Sequence, residues 1–302
     1  AYNMAAAVLR CLGDSRTPLF AIIAASFANI ALDLLFVMGF GWGIFGASFA
    51  TVLAQLIAFL LCLRSLRRLP FVQLTKADWK TDPAILLHLC RLGIPTGLQM
   101  SMITLGGMVL QSVLNGFGVV FVAGYTAANK LYGILESASV AFGYAMTAYM
   151  GQNRGARNAA RIDAGIRAVL VLSAEFTAAI VTAMLVAGKP LLGLFLSTEE
   201  AGAAEALAVA YQYLMVLMAF LFALFMLQAY RSSLQGLGEM TVPTLSGFAE
   251  MLMRMGAALV LPTFIGQSGV FFAEGAAWVC AAALNLVWYY MRIGKIKRDM
   301  LK

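Results

Sequence analysis

Asp33 lies inside Thr17–Met38, an apolar run long enough, at 1.5 Å per residue, to cross a hydrocarbon core roughly 30 Å thick. A carboxylate at that depth costs at least about 2.5 kcal/mol on insertion scales, so it faces protein, water or a bound cation. Asn29 precedes it by one helical turn on the same face. Thr51, on the next apolar run, reaches a similar depth if the two runs are antiparallel. Asp33 is then roughly 8 Å from the outer end, Thr51 roughly 12 Å and Asn29 roughly 14 Å. Carboxylate, amide and hydroxyl oxygens so placed suit a sodium ion or a proton relay. The plainer alternative is a packing acid held by a hydrogen bond to a neighbour.

Other polar residues fall within apolar runs. Glu250 and Arg254 are four apart, acid first, the spacing of an ion pair within one helix. As a structural pair that eases insertion, they imply that losing one member destabilises and losing both restores much of the loss. Lys130 and Glu136 are six apart, and each needs a partner on another helix. Glu136 with Tyr132 and Tyr144 could line a cavity for a cationic aromatic compound through charge and cation–π contact. Glu175 and Glu274 have no evident partner in the sequence. No catalytic constellation accompanies these residues: HExxH, GxSxG and Walker A patterns are absent. Cys11, Cys62, Cys90 and Cys280 lack CxxC spacing and read as small buried hydrophobes. His88, the single histidine, reads as interfacial. The expectation is a protein that is not an enzyme and carries no metal or organic cofactor.

The elements that must position these residues are membrane spans. The chain is 62% hydrophobic and 12% charged, with mean hydropathy +0.86, which excludes an ordinary soluble domain. Apolar runs predict eight spans, at 18–38, 43–64, 91–114, 118–149, 165–187, 207–230, 241–265 and 269–291. The first two form a hairpin through the glycines of 39–43, with Trp42 at the interface. Residues 65–90 are the one long polar connection, punctuated by Pro70 and Pro83, with Trp79 at headgroup level. Residues 1–64 therefore read as the end of an N-terminal lobe, a helix tail plus two spans. Residues 65–90 read as a cytoplasmic or interfacial linker, and 91–302 as a six-helix C-terminal lobe.

Charge sets the orientation. Arg10 and Arg16 precede the first span, Arg64, Arg67, Arg68, Lys76, Lys80 and Arg91 lie between the second and third, and Arg154, Arg157 and Arg161 follow the fourth. Arg231 follows the sixth, and Arg292, Lys295, Lys297, Arg298 and Lys302 follow the eighth. Alternate connections hold few basic residues; residues 188–206 set Lys189 against Glu199, Glu200 and Glu205. Both ends of the chain are thus expected in the cytoplasm of a bacterial-type inner membrane. Orientation accounts for the net charge of +7, so no nucleic-acid partner is required.

The segment Leu9–Pro18 repeats as Leu234–Pro243, with Leu, Leu, Gly, an acid and Pro in register 225 residues apart. In both copies the motif reads as a helix end with a glycine C-cap and a proline opening the next span. Each copy continues into a hairpin, at Gly43–Ala47 and Gly269–Ala273. A repeat of six spans then implies a twelve-span, two-lobe protein with an axis along the membrane normal. On that reading the chain is a fragment lacking roughly the first four helices.

Several of these residues carry a family pattern. Leu12-Gly13-Asp14 with Thr17-Pro18, Asn29–Asp33, Gly41–Ala47 with Ala50-Thr51, Gly93–Gly97 and Gly151–Ala156 closely resemble the multidrug and toxic compound extrusion (MATE) family, in family order. The resemblance implies an all-α, polytopic two-lobe transporter. It implies export of amphipathic, often cationic drugs across the cytoplasmic membrane by alternating access, coupled to H⁺ or Na⁺, with lipid as surroundings and a monomer as the working unit. It also implies a cation site in the N-terminal lobe, of which Asn29, Asp33 and Thr51 are the residues present here. One family branch has a glutamate on the third span; this chain has Gln99, Gln111 and Asn115 there, which favours the N-lobe site and leaves Gln99 as a cavity residue beside Tyr132, Glu136 and Tyr144. The alternative in the same superfamily is a flippase for lipid-linked precursors, which requires a cluster of cavity arginines.

Overall fold

The computed structural model describes residues 1–69, 80, 82–196 and 202–301. Pro70, Lys76, Trp79, Glu199, Glu200 and Lys302, to which the sequence assigned interfacial or orienting roles, lie outside them. The described residues form helices and turns, without strands. In chain order these are α1 (Tyr2–Cys11), α2 (Arg16–Asp33), α3 (Gly43–Leu66), α4 (Pro83–Leu114), α5 (Val119–Gly155), α6 (Ala159–Gly193), α7 (Ala203–Gly236), α8 (Thr241–Ile265) and α9 (Phe272–Leu301). Each helix satisfies its own backbone groups, the condition for crossing hydrocarbon. Two compact units result, Ala1–Leu86 and Leu87–Lys302.

Seven of the helices are long and apolar enough to span a membrane, where the sequence predicts eight. The exception is α5, expected at 118–149. It forms a helix of 37 residues, but Lys130, Glu136 and its small and polar neighbours keep its hydropathy down. Its long packing face along α7 provides what lipid contact provides elsewhere. α4 begins at Pro83, so the C-terminal part of the expected 65–90 linker is helical.

Small residues decide how close the helices come. On α3, Gly46, Ala50, Ala54, Ala58, Cys62 and Leu66 are buried at every fourth position, and Ala21 and Ala25 of α2 meet the same seam. The bulky residues point outward instead: Phe20, Phe27 and Phe45 are all exposed. That inversion is the membrane pattern, in which small faces pack and large apolar ones meet lipid. In the second unit α5 runs along α7 in the same way. A Cβ on Gly124 would sit 2.4 Å from the Ala206 carbonyl oxygen, and one on Gly236 would sit 2.5 Å from that of Thr147.

The two copies of the repeated motif fold alike. After α1, the Gly13 N–H donates to the Arg10 carbonyl at 3.0 Å and the Asp14 N–H to that of Leu9 at 2.9 Å. After α7, the Gly238 N–H donates to the Gln235 carbonyl at 2.9 Å and the Glu239 N–H to that of Leu234 at 2.9 Å. Both are Schellman ends, with glycine in the left-handed region at φ +91° and +73°. Asp14 then accepts from the Thr17 N–H at 3.0 Å, and its hydrogen bonds from Thr17 hold its carboxyl below the usual carboxylate range. A third end of the same kind joins α5 to α6, but there the left-handed residue is Arg157, at φ 53°.

The turns yield a paired test. An added Cβ at Gly13 meets nothing within 4 Å, so Gly13→Ala isolates the conformational cost, about 1 kcal/mol of lost stability. Arg157→Gly should act the other way and gain up to about 1 kcal/mol. Thermal unfolding in detergent micelles should show the two shifts with opposite sign.

Candidate functional site

Asn29 and Asp33 occupy successive turns at the C-terminal end of α2, both half-buried. The Asn29 Nδ2 and Asp33 Oδ1 atoms are buried and have no hydrogen-bond partner among the described residues. A buried polar atom left unpaired costs about 1–3 kcal/mol, so the pair is poised to gain from a ligand. Immediately after Asp33 the helix widens into a π turn, Leu34–Gly39. Its Phe36 ring stacks on Trp42 at 5.2 Å and meets Phe49 at 5.6 Å. Such π turns recur at functional sites because they displace side chains from the regular helical path. Thr51 stands on α3, exposed, with its hydroxyl donating to the Ala47 carbonyl at 3.0 Å. No hydrogen bond joins Thr51 to Asn29 or Asp33, so the structure unites two of the three expected residues on one face and leaves the third bonded to its own helix.

The second unit contains a more elaborate arrangement. The Glu250 carboxylate on α8 receives Arg231 of α7 at 2.5 Å and Arg254 at 3.1 Å. Arg254 also reaches Glu274 of α9 at 2.8 Å and donates to the Ile103 carbonyl of α4 at 3.0 Å. The Arg231 guanidinium has a further contact with the Ser246 hydroxyl at 3.4 Å. Glu250, Arg254 and Arg231 are all buried, at 3%, 5% and 5% exposure, so these are contacts out of reach of water. The expected pair Glu250–Arg254 is therefore the middle of a four-member chain tying α7, α8 and α9 together.

Two of those members escape a reading of the sequence. Arg231 stands one turn before the motif at Leu234 and looks like an orienting cytoplasmic charge, whereas α7 continues to Gly236 and keeps it inside. Glu274 has no partner near it in sequence. The available signal is a charge balance: a helix hairpin carrying a net positive charge at depth needs an acid from a third helix.

Of the four residues expected around a cavity, Tyr132 and Glu136 share a side-chain hydrogen bond one turn apart on α5, while Gln99 packs elsewhere. Gln99 is fully buried and accepts from the Gln235 side chain at 3.0 Å, packed where a Cβ on Gly247 would touch its Cγ at 2.6 Å. Tyr132 is buried against Trp278, with ring centroids 5.5 Å apart. Glu136 is half-buried one turn from Tyr132, and Tyr144 is exposed. Close helix packing, made possible by glycine, closes Gln99 and Tyr132 away from any opening. Among the described residues, no group of three or more His, Cys, Asp or Glu side chains forms a metal cluster.

Known proteins resemble this chain in sequence and in fold. The MatE family model matches residues 95–260. The probable multidrug resistance protein YpnP of Bacillus subtilis is 32% identical over 303 residues, covering 98% of this chain and 65% of the relative. The multidrug export protein MepA of Staphylococcus saprophyticus is 22% identical, covering 94% of this chain and 62% of its own length. The chain thus spans a little under two thirds of the curated relatives it matches. Among solved structures, the outward-facing conformation of a multidrug resistance MATE family transporter superposes with a TM-score of 0.89 at 23% identity, over 98% of this chain and 66% of that one.

The charge chain makes a clear prediction about stability. Glu250→Gln strands the buried Arg231 guanidinium, while Arg254 keeps Glu274, and should cost about 3–5 kcal/mol. Adding Arg254→Gln to it does not rescue, because Arg231 and Glu274 both lose their partners. Arg254→Gln with Glu274→Gln leaves the Arg231–Glu250 contact whole and should be more stable than Arg254→Gln alone. Unfolding midpoints of the single and double variants in micelles decide between a pair and a chain.

Proposed function

The chain belongs to the MatE family, and from that premise we propose that the protein built on it exports amphipathic, often cationic organic compounds across a bacterial-type cytoplasmic membrane. On this reading export is coupled to entry of H⁺ or Na⁺ through alternating access, and the working unit is a monomer. The observation that carries the proposal is the orphaned pair on α2, Asn29 Nδ2 and Asp33 Oδ1, at the junction with a π turn. A proton or sodium ion arriving at Asp33 neutralises a charge that is costly at that depth. The conformation that exposes Asp33 to the outside therefore binds the ion, and the one that buries it favours the ion-loaded form. That differential affinity is what couples an ion gradient to a change of shape. The names of the bacterial relatives, multidrug resistance and export proteins, support the class of cargo.

The flippase alternative needs free guanidiniums to grip a pyrophosphate. Arg231 and Arg254, the two arginines buried within the helices of the second unit, are both engaged by carboxylates. This favours drug export over lipid-precursor transfer.

Asp33→Asn preserves size and hydrogen bonding while removing the titratable charge. The variant should insert normally and lose gradient-driven efflux. Vesicles bearing the protein, with pH and Na⁺ gradients imposed separately, measure the loss and identify the coupling ion. Wild-type efflux by the variant at matched expression would defeat the assignment.

A further inference from the structure

At the end of the α2–α3 hairpin remote from Asp33, the two helices leave a groove of about 490 Å³ between them, within the range of small-ligand pockets. Its walls are of two kinds. Arg64 and Arg68 of α3 stand at its head with the hydroxyls of Thr17 and Ser65, which lie 3.5 Å apart. Below them Phe20, Ile23 and Leu61 make the walls apolar. Arg64 and Arg68 are four apart on one helix face, a like-charge spacing that costs stability until an anion joins it. Both are exposed, and neither is in an ion pair among the described residues. The nearby acid, Asp14, is turned to its own helix start, where it accepts from the Thr17 N–H at 3.0 Å.

An apolar slot headed by two guanidiniums matches a lipid with an anionic head. We propose that this groove binds an anionic phospholipid, its phosphate between Arg64 and Arg68 and an acyl chain against Phe20 and Leu61. Guanidinium forks bond phosphate oxygens in pairs, and the two hydroxyls supply further donors. Under the orientation expected from the basic connections, this end of the hairpin lies in the cytoplasmic leaflet, with the arginines at headgroup level. The internal repeat supports a lipid-facing position for the α2 wall. Phe20 and Ile23 correspond to Leu245 and Phe248 of α8, 225 residues on, and those are exposed in a unit that has six long helices, α4–α9. Lipid binding here does not depend on transport or on the reading of Asp33.

The test is native mass spectrometry of the purified chain, released from neutral detergent holding equal amounts of phosphatidylglycerol and phosphatidylcholine. Such a detergent has no charged surface of its own, so the ratio of the two lipids retained reports direct contact. Wild type should retain phosphatidylglycerol in preference. Arg64→Gln and Arg68→Gln should each lower that preference about fivefold, and the double variant about 25-fold. Arg67→Gln, exposed but outside the groove, should leave it unchanged, which separates the groove from a general basic rim. Ala24→Phe fills the groove with both arginines intact and should also expel the lipid, so it decides if the arginine variants fail to fold. Free glycerol 3-phosphate at the same concentration should not displace the lipid, because the acyl chain supplies part of the binding. Equal retention of the two lipids by wild type overturns the proposal, as does an unchanged preference in the double variant or in Ala24→Phe. A loss in Arg67→Gln as large as in Arg64→Gln, or displacement by glycerol 3-phosphate, overturns it too.

Discussion

Nothing in a hydrocarbon layer solvates a charge, so each charged side chain must bring its counter-charge with it. In this chain the requirement converges on Glu250. Two guanidiniums approach its carboxylate from different helices, and one of them extends the link to a third. α8 could not sit where it does without this arrangement. Its packing against α9 is extensive and its packing against α7 slight, so polar contact does on one flank what apolar burial does on the other. An ionic link of this kind is a weak source of net stability compared with a well-packed apolar substitute. What it supplies is placement, since the partners must meet at particular turns of three helices.

The same requirement explains the rest of the packing. Helices in lipid gain little from hiding large apolar residues, and close approach becomes the main attraction. The four-residue seam of α3 and the glycines along α5 and α7 are the means of that approach. Where the seam is tightest, polar groups are buried as well: Gln99 lies against Gly247, and a Cβ at Gly143 would meet the Ser232 hydroxyl at 2.7 Å. Side chains that would make inviting cavity walls, such as Tyr132, are taken up by this packing instead.

Much of the architecture is legible in the residues alone. Hydrophobic run lengths locate eight of the helices, α5 among them, and 241–265 coincides with α8 at both ends. The turn motif at Leu9 and Leu234 predicts a glycine-ended helix twice, and both ends form with the same hydrogen bonds. Three features are not legible. The π turn after Asp33 depends on how Phe36, Trp42 and Phe49 settle against one another, which no periodicity encodes. The partners of Arg231 and Glu274 lie on other helices, and local spacing reports only contacts within one. The enclosure of Gln99 depends on a glycine nearly 150 residues away, visible only once the helices are side by side. At the site, Asn29 and Asp33 on a common face follow from helical spacing, whereas the Thr51 hydroxyl takes the carbonyl of its own preceding turn, a bond open to any helical threonine.

The order of the charged residues along the chain bears on how the protein enters a membrane. Synthesis delivers Arg231 first, then Glu250, Arg254 and Glu274, so base and acid alternate without exception. As each helix emerges, the running charge of this set never exceeds a single unit of either sign. Arg231 waits for an acid only until the next helix arrives, and Arg254 borrows the Glu250 already beside it until α9 is made. A nascent chain built in this order never has to hold two uncompensated like charges of the cluster in lipid at once. The alternation is thus an assembly schedule written into the primary structure, and exchanging Arg254 with Glu250 would keep the composition while breaking the schedule.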